Sequence, residues 1–201
     1  MIIDGHIFGC HLPDRRCGNQ CTNQGRYCHE DPEGDMDSGI SGVHVVQENL
    51  RQMCIWDQAN ETVADHQKWW KYQVLFSTHC SEYNENATNN EYFSVTNFNK
   101  DCSERQQIAA GLDPETTEAC VTASGGAEVE GGVNTRFDAT IQLKNRKRVW
   151  LMPYLLINNE PYRGGLYCPE PVSMATCSVL NSICAGFPDK ATTQPSATPA
   201  T

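Results

Sequence analysis

Eleven cysteines in a chain of 201 residues constrain this protein more than any other feature of its sequence. They lie at positions 10, 17, 21, 28, 54, 80, 102, 120, 168, 177 and 184. So many thiols are typical of an oxidising compartment, where disulfides persist, rather than of the cytosol. An odd number cannot pair completely within one chain, so at least one cysteine is free or pairs with another molecule. The sequence therefore predicts a disulfide-rich protein of the secretory-pathway lumen or the extracellular space.

The first cysteine cluster has two alternative interpretations. With His11 or His29, the thiols of Cys17, Cys21 and Cys28 could hold zinc; as disulfides they would cross-link a polar loop. Structural zinc sites usually combine two short Cys-x2–4-Cys pairs, and this cluster contains only one. We therefore favour disulfides and predict no metal and no cofactor.

Charge and glycosylation signals agree with a luminal protein. The net charge of −10 argues against a nucleic-acid partner, because phosphate binding needs a dense basic face. The one basic run, residues 144–148, is predicted to be a solvated loop before a strand. The alternating acids of residues 31–37 are interpreted as a solvated loop, with calcium binding as the alternative. Asn60 and Asn86 each begin an Asn-x-Thr glycosylation acceptor.

The route into that compartment is not visible in the sequence. No signal peptide and no membrane-spanning segment can be recognised. A disulfide protein must still enter the secretory route. We therefore expect the chain to be a piece of a longer protein or the product of an incomplete gene model.

Apolar residues at helical spacing predict that the middle of the chain is mostly helical. The three sets are Val43, Val46, Leu50 and Met53; Trp69, Tyr72, Phe76 and Cys80; and Arg105, Ile108, Ala109 and Leu112. Asp101 is predicted to cap the third helix, and Asp113 a fourth that begins at Pro114. The Gly-rich segment 124–134 is predicted to be a mobile loop.

Strand signals occupy both ends of the chain. Residues 2–9 and 148–157 are rich in apolar and β-branched side chains. Pro153 interrupts the second strand, which suggests a cis peptide after Met152, with a trans proline at a strand start as the alternative. The pair Asn158-Asn159 predicts a tight turn into a returning strand.

The remaining C-terminal segments carry weaker signals. The returning strand is predicted over residues 161–166, and an amphipathic helix over residues 172–183. Residues 188–201 are rich in Thr and Pro, have no apolar face, and are predicted to be a disordered tail.

No catalytic signature is present. A dithiol enzyme needs a Cys-x-x-Cys at the start of a helix, where the thiol pKa is lowered, and the chain contains none. We predict that the protein is not an enzyme and assign no catalytic residue.

Three disulfides are predicted from the order of the segments. They are Cys54–Cys80, Cys102–Cys120 and Cys168–Cys177, because each would join the ends of adjacent helical or loop units.

Several blocks of sequence stand out together. They are residues 17–28 with Asp31-Pro32-Glu33, residues 45–54, Trp69-Trp70-Lys71-Tyr72, Lys100-Asp101-Cys102, Gly111-Leu112-Asp113, residues 152–159, and Cys184-Ala185-Gly186-Phe187. In this order, over roughly residues 10–187, they resemble the thioredoxin-like central segment of plant-type vacuolar sorting receptors. The resemblance implies an α/β fold, with a thioredoxin-like sheet that is incomplete at its N-terminus. The domain would span residues 1–187 and contain a largely helical insertion at about residues 43–123.

The resemblance also implies a function. Receptors of this family carry soluble cargo from the Golgi toward the vacuole, and this chain would be a non-catalytic, cargo-binding fragment of the ectodomain. Its partners would be soluble vacuolar cargo proteins or peptides, and it would reach a membrane only through segments absent from the chain. We expect the binding surface to include Pro153, Tyr154, Asn158, Asn159 and Arg163. The alternatives are a thiol–disulfide oxidoreductase-like protein and a secreted structural protein that reuses the domain.

Overall fold

The computed structural model describes residues 3–4, 19–32, 39–59, 62–80, 98–149, 154–169, 172–173 and 175–185. These residues fall into two compact units, Met1–Arg148 and Val149–Thr201. The extent of one domain over residues 1–187 stays a prediction. The Met152–Pro153 peptide, Asn60 and Asn86 lie outside the described residues.

Six α-helices are present in the described part of the chain, five of them in the first unit. They are α1 Gly42–Gln58, α2 Val63–His79, α3 Lys100–Ala110, α4 Pro114–Ala123, α5 Thr135–Arg146 and α6 Ser178–Cys184. Helices α1, α2 and α3 overlap the segments in which apolar spacing predicts them, and α4 begins at Pro114 as expected.

Polar caps determine where two of these helices begin. Asp113 accepts hydrogen bonds from the backbone N–H groups of Glu115 and Thr116, at 3.1 and 3.3 Å, as predicted. The predicted cap of α3 was wrong. Asp101 lies inside that helix, and Asn99 accepts from the backbone N–H of Cys102 at 2.9 Å. Asn caps a helix as well as Asp does, so the earlier of the two signals starts the helix.

Three short strands form an antiparallel sheet around the first cysteine cluster. They are β1 Ile3–Asp4, β2 Cys21–Thr22 and β3 Tyr27–Cys28, with β3 in the middle. Of the strand predicted over residues 2–9, the described part is Ile3–Asp4. Cys21 and Cys28 are bonded to each other, so neither sulfur is available as the thiolate that zinc would need.

The first hydrophobic core lies between the small sheet, α1 and α5. Val46, Leu50 and Cys54 lie along one face of α1 and are almost completely buried against Tyr27 and Phe137. The Tyr27 and Phe137 rings lie 4.8 Å apart. Burial, and after it the hydrogen bond to the Asp138 carboxylate, raise the pKa of Tyr27 above its ordinary value of 10.0.

A second core lies between α1, α2 and α3. Its buried residues are Ile55, Ala59, Tyr72, Phe76, Cys80, Cys102, Ala110 and Leu112. The two cores share α1, which buries Leu50 in the first and Ile55 in the second. This helix therefore connects the small sheet to the rest of the helical region.

A buried polar cluster crosses the second core. Glu48 is 2% exposed, and one of its carboxylate oxygens accepts from the Tyr72 hydroxyl at 2.6 Å and from the Gln52 amide at 3.1 Å. The other oxygen accepts from the Arg51 guanidinium at 2.8 Å. The Tyr72 hydroxyl also lies 2.7 Å from the Ser103 hydroxyl. Burial, followed by the nearby Glu48 charge, raises the pKa of Tyr72, so its phenol stays protonated.

Two of the predicted disulfide pairings were wrong. Cys54 is bonded to Cys120 and Cys80 to Cys102, in place of Cys54–Cys80 and Cys102–Cys120. Helix α1 packs beside α4, and α2 packs beside α3. Each disulfide therefore joins two helices that lie side by side, whereas the prediction joined segments that follow each other along the chain.

Helix α5 was missed by the sequence analysis. Its buried Phe137 and Ile141 form a narrow apolar stripe among polar residues. The basic residues Lys144 and Arg146 lie in its last turn, where positive charge interacts favourably with the helix dipole, and not in a loop before a strand.

The Gly-rich segment before α5 is also more ordered than the sequence suggests. The backbone N–H groups of Asn23 and Gln24 donate to the carbonyls of Glu128 and Val129, both at 2.7 Å. The amide of Asn134 donates to the Ser124 hydroxyl at 2.9 Å. These bonds hold residues 124–134 against the turn between β2 and β3, where a mobile loop was predicted.

The second unit contains a hairpin and α6. Its strands are β4 Leu156–Ile157 and β5 Glu160–Pro161. Both are much shorter than the strands predicted over residues 148–157 and 161–166, because the described residues 148–149, 154–155 and 162–166 are not in a strand. The predicted disulfide Cys168–Cys177 is present. Helix α6 begins at Ser178, later than expected, because Cys177 occupies the cap position and its sulfur accepts from the backbone N–H of Leu180 at 3.3 Å. Among the described residues, no helix has both the length and the apolar composition needed to cross a membrane.

Candidate binding site

The hairpin predicted as a binding surface forms a two-residue turn. Asn158 and Asn159 adopt positive φ angles of 51° and 68°. This conformation suits the right-handed twist of a tight hairpin, and Asn tolerates it better than most residues. Leu156 pairs with Pro161, and Ile157 with Glu160, across the two strands.

Most of the predicted binding residues lie on this hairpin or beside it. Asn158, Asn159 and Arg163 are exposed, and Tyr154 is half-buried. Pro153 lies outside the described residues. The segment that follows is held by Tyr162, whose hydroxyl donates to the Ser178 hydroxyl at 2.8 Å. The two amide side chains of the turn, and the Arg163 guanidinium beyond the end of β5, are therefore exposed to solvent.

The described residues contain no group of three His, Cys, Asp or Glu side chains that could hold a metal ion. Cys184 is their one free thiol, and no second free thiol stands beside it within the described part of the chain. The described residues therefore form neither a metal-binding cluster nor a pair of free thiols.

A second candidate site, which the sequence analysis missed, is an open groove of about 530 Å³ in the first unit. Its floor is one face of α1, at positions i, i+3, i+4, i+7 and i+8, and its walls come from α2 and α5. The residues that line it are Asn49, Gln52, Met53, Trp56, Asp57, Trp69, Arg136, Ala139 and Thr140. We call this site the α1 groove.

Aromatic rings form one side of the α1 groove. Trp56 is 38% exposed and stacks on His66, with ring centroids 5.4 Å apart and planes 5° apart. The ring of Trp69 meets Trp56 edge-on at 5.3 Å. The opposite side carries Arg136, which forms an ion pair with Asp57.

Two hydrogen-bond donors of the groove lining have no acceptor. The side-chain nitrogens Nδ2 of Asn49 and Nε1 of Trp69 are buried and make no hydrogen bond with any described residue. The other buried side-chain atoms in this condition, within the described part of the chain, belong to Asn23 and Gln73. Both atoms lie beneath the surface of the groove, where a buried unpaired donor typically costs 1–3 kcal/mol.

The sequence did contain a signal for this groove. Met53 and Trp69 were identified as members of helical apolar faces and of the blocks that carry the family resemblance, and Trp56 was not singled out. However, Trp56 lies i+3 from Met53 and extends the face of α1 toward the polar residues Asn49 and Asp57. Trp is one of the residue types enriched among the dominant contacts of protein interfaces.

Comparisons with known proteins agree over most of the chain. Residues 9–184 match the family model described as the vacuolar sorting receptor thioredoxin-like domain. The chain is 34% identical to vacuolar-sorting receptor 4 of Arabidopsis thaliana over 174 residues, which cover 86% of this chain and 24% of that receptor. It is also 34% identical to vacuolar-sorting receptor 1 of Pisum sativum over 182 residues, which cover 90% of this chain and 26% of that receptor. The chain thus spans about a quarter of the length of the curated relatives it matches. No solved structure matches it.

Proposed function

Because the chain belongs to the vacuolar sorting receptor family, we propose that it is a luminal, non-catalytic segment of a receptor that binds soluble cargo destined for the vacuole. The observation that carries this proposal is the family match over residues 9–184. The relatives are named as receptors, which supports binding rather than catalysis. The chain spans about a quarter of the length of these relatives. We therefore also propose that it belongs to a whole receptor that sorts cargo.

The disulfides support a location in the secretory-pathway lumen, and from the family we propose the Golgi or the prevacuolar compartment. Four are present in the described part of the chain, and two of them tie together the helices that form the cores. Such bonds persist in the oxidising lumen and are rare in the cytosol.

We place part of the cargo contact on the hairpin of Asn158, Asn159 and Arg163. Arg163→Ala is expected to weaken cargo binding about tenfold, because Arg side chains at protein interfaces often contribute this much. The measurement is titration of the purified chain with a vacuolar precursor protein. Arg146→Ala, at an exposed position of α5 in the other unit, is the matched control and should bind like the unmodified chain. Equal weakening by both substitutions would contradict the assignment of the hairpin.

The absence of catalysis is tested by insulin reduction. Reduction of a disulfide by exchange needs an attacking thiolate and usually a second thiol that resolves the mixed disulfide. The sequence contains no Cys-x-x-Cys. We expect no turnover above the rate with dithiothreitol alone. A rate that approaches that of a thioredoxin would show that the protein is an enzyme.

A further inference from the structure

We propose that the Lys147-Arg148 pair is a processing site, at which a dibasic-specific endoprotease of the secretory pathway hydrolyses the Arg148–Val149 peptide bond. This inference goes beyond the proposed function and shares with it only the passage of the chain through the secretory-pathway lumen. It concerns the basic run of residues 144–148, to which neither candidate binding site assigns a role.

The basic run has the composition that such an enzyme recognises. In a chain of net charge −10, four cations lie within five residues, Lys144, Arg146, Lys147 and Arg148. A protease with acidic S1 and S2 pockets binds a guanidinium at the residue before the cut and a second cation one residue earlier. Arg148 and Lys147 supply these two groups, and Val149 follows them.

The pair lies beyond the end of α5, so the bond to be cut is not inside a helix. Helix α5 ends at Arg146, Lys147 is its C-cap, and Arg148 adopts a positive φ of 53°. Two of the hydrogen bonds that hold the pair join its backbone to the last turn of α5. The N–H of Lys147 donates to the carbonyl of Leu143 at 2.9 Å, and that of Arg148 donates to the carbonyl of Asn145 at 3.1 Å. A positive φ is unfavourable for residues other than Gly, so opening this turn relieves backbone strain while it breaks these bonds.

Opening the end of α5 exposes no core residue. The buried side chains of this helix are Phe137 and Ile141, and none of residues 142–149 is buried. Arg148 is exposed, and Leu143 is 48% exposed. Proteolysis of a folded protein goes through such locally opened states. The last turn can therefore unwind and enter a protease while the first core stays packed.

The bond also lies at the boundary between the two compact units, Met1–Arg148 and Val149–Thr201. Exposed segments between compact units are the usual sites of limited proteolysis. Of the four disulfides in the described part of the chain, three precede the bond and Cys168–Cys177 follows it. One cut therefore leaves both cores in the longer fragment and the hairpin of Asn158 and Arg163 in the shorter one.

The step is a hydrolysis, and its one co-reactant is water. The bond between the carbonyl carbon of Arg148 and the nitrogen of Val149 breaks, and a bond forms between that carbon and the oxygen of water. Both protons of the water end on the nitrogen. The products are a carboxylate on Arg148 and an ammonium group on Val149, and nothing is oxidised or reduced.

A binding surface for an anionic partner is the competing explanation of the basic run. Such a surface needs cations that converge on one place. Lys144 and Arg146 lie two residues apart on α5, so they do not face each other. Arg148 lies beyond the helix, in the open turn. The arrangement favours recognition of the adjacent Lys147-Arg148 pair over binding by the whole run.

The test uses the whole oxidised chain and a purified endoprotease that cleaves after Lys-Arg. We expect one early cut that yields residues 1–148 and 149–201, identified by mass and by Val149 at the new N-terminus. Arg148→Ala should slow this cut about 100-fold, because the acidic S1 pocket is left without its cation. Lys147→Ala should slow it about tenfold.

Lys144→Ala is the matched control. It removes one charge from the same run and leaves the Lys147-Arg148 pair intact, so the rate should stay within about twofold. None of the three substituted residues is buried, so the variants should melt at the temperature of the unmodified chain. Equal melting temperatures separate a loss of recognition from a change in folding.

The second part of the test directs the whole chain into the secretory pathway of plant cells with an added signal peptide. We expect the fragment that begins at Val149, and its absence for Arg148→Ala. The inference would be overturned by a chain that stays intact in both experiments, by early cleavage after Arg16 instead, or by equal rates for Arg148→Ala and the unmodified chain. Cleavage at Arg148 in a chain that binds no cargo would support the inference and contradict the proposed function. Cargo binding by a chain that resists cleavage would do the reverse.

Discussion

Replacing both Cys54 and Cys120 by alanine is expected to lower the free energy of unfolding of the first unit by about 4 kcal/mol. This disulfide closes a loop of 66 residues and joins α1 to α4. A long loop gains much freedom in the unfolded chain when its cross-link is removed. Cys80–Cys102 closes a loop of only 22 residues, so its removal should cost less, about 3 kcal/mol. Urea unfolding followed by tryptophan fluorescence measures both values.

The matched control is the pair Cys168→Ala and Cys177→Ala, whose disulfide lies in the second unit. It should leave the unfolding transition of the first unit in place. A non-reducing peptide map must also find Cys54 joined to Cys120. A map that joins Cys54 to Cys80, or a loss below about 1 kcal/mol for the first double substitution, would contradict the arrangement of the helices.

Glu48→Leu is expected to destabilise the first unit by about 3 kcal/mol. The substitution leaves the Arg51 guanidinium without its carboxylate in a largely buried position, with 12% of its side chain exposed. It also removes the acceptor of the buried Tyr72 hydroxyl. Removing one member of a buried, hydrogen-bonded charge pair is costly because the other member keeps its desolvation penalty. Thermal and urea unfolding measure the change.

Glu104→Gln provides the comparison for Glu48. Glu104 faces Lys100 on α3 at 3.7 Å, with both side chains more than one-third exposed. Surface pairs of this kind contribute between 0 and about 1 kcal/mol, so this substitution should change stability little. If Glu48→Leu were as mild as Glu104→Gln, the polar cluster around Tyr72 would not help to hold α1, α2 and α3 together.

The sequence predicts α1, α2 and α4 because each has an apolar face or a strong cap. The apolar face predicted for α3 was wrong, since Ile108 on it is 65% exposed and the helix buries Cys102, Ser103, Gln107 and Ala110 instead. Leu50 and Tyr72 lie on such faces, and Asp113 caps α4 as expected. Helix α5 was not predicted from the sequence because its buried stripe consists of Phe137 and Ile141 alone. Its cap, Asn134, is the last residue of a Gly-rich segment that was predicted to be a loop, so the start of the helix was not recognised. The predicted fold class, a thioredoxin-like domain with a large helical part, is confirmed by the family match.

Disulfide pairing could not be read from the order of the cysteines. Pairing depends on which helices pack side by side. Helices far apart in the sequence pack together when their apolar faces fit each other. Cys54 and Cys80 close consecutive helical segments, so a local argument joins them. In the structure α1 also packs on α4, which brings Cys120 to Cys54.

The two candidate sites differ in the same way. The hairpin site was predicted because Asn158 and Asn159 are adjacent and carry a local turn signal. The α1 groove needs side chains from three helices, and its unpaired donors on Asn49 and Trp69 become visible only once these helices are packed. Local signals predict turns and caps; they do not predict a surface assembled from distant segments.

The most direct test of the central claim, that this segment itself binds vacuolar cargo, is calorimetric titration of the purified, oxidised chain. The titrants are a soluble vacuolar precursor with its sorting peptide and the same protein from which that peptide has been removed. We predict saturable binding of the precursor, no binding of the shortened protein, and loss of binding when the disulfides are reduced. Equal binding of both proteins, or no binding of any precursor in a panel, would contradict the claim.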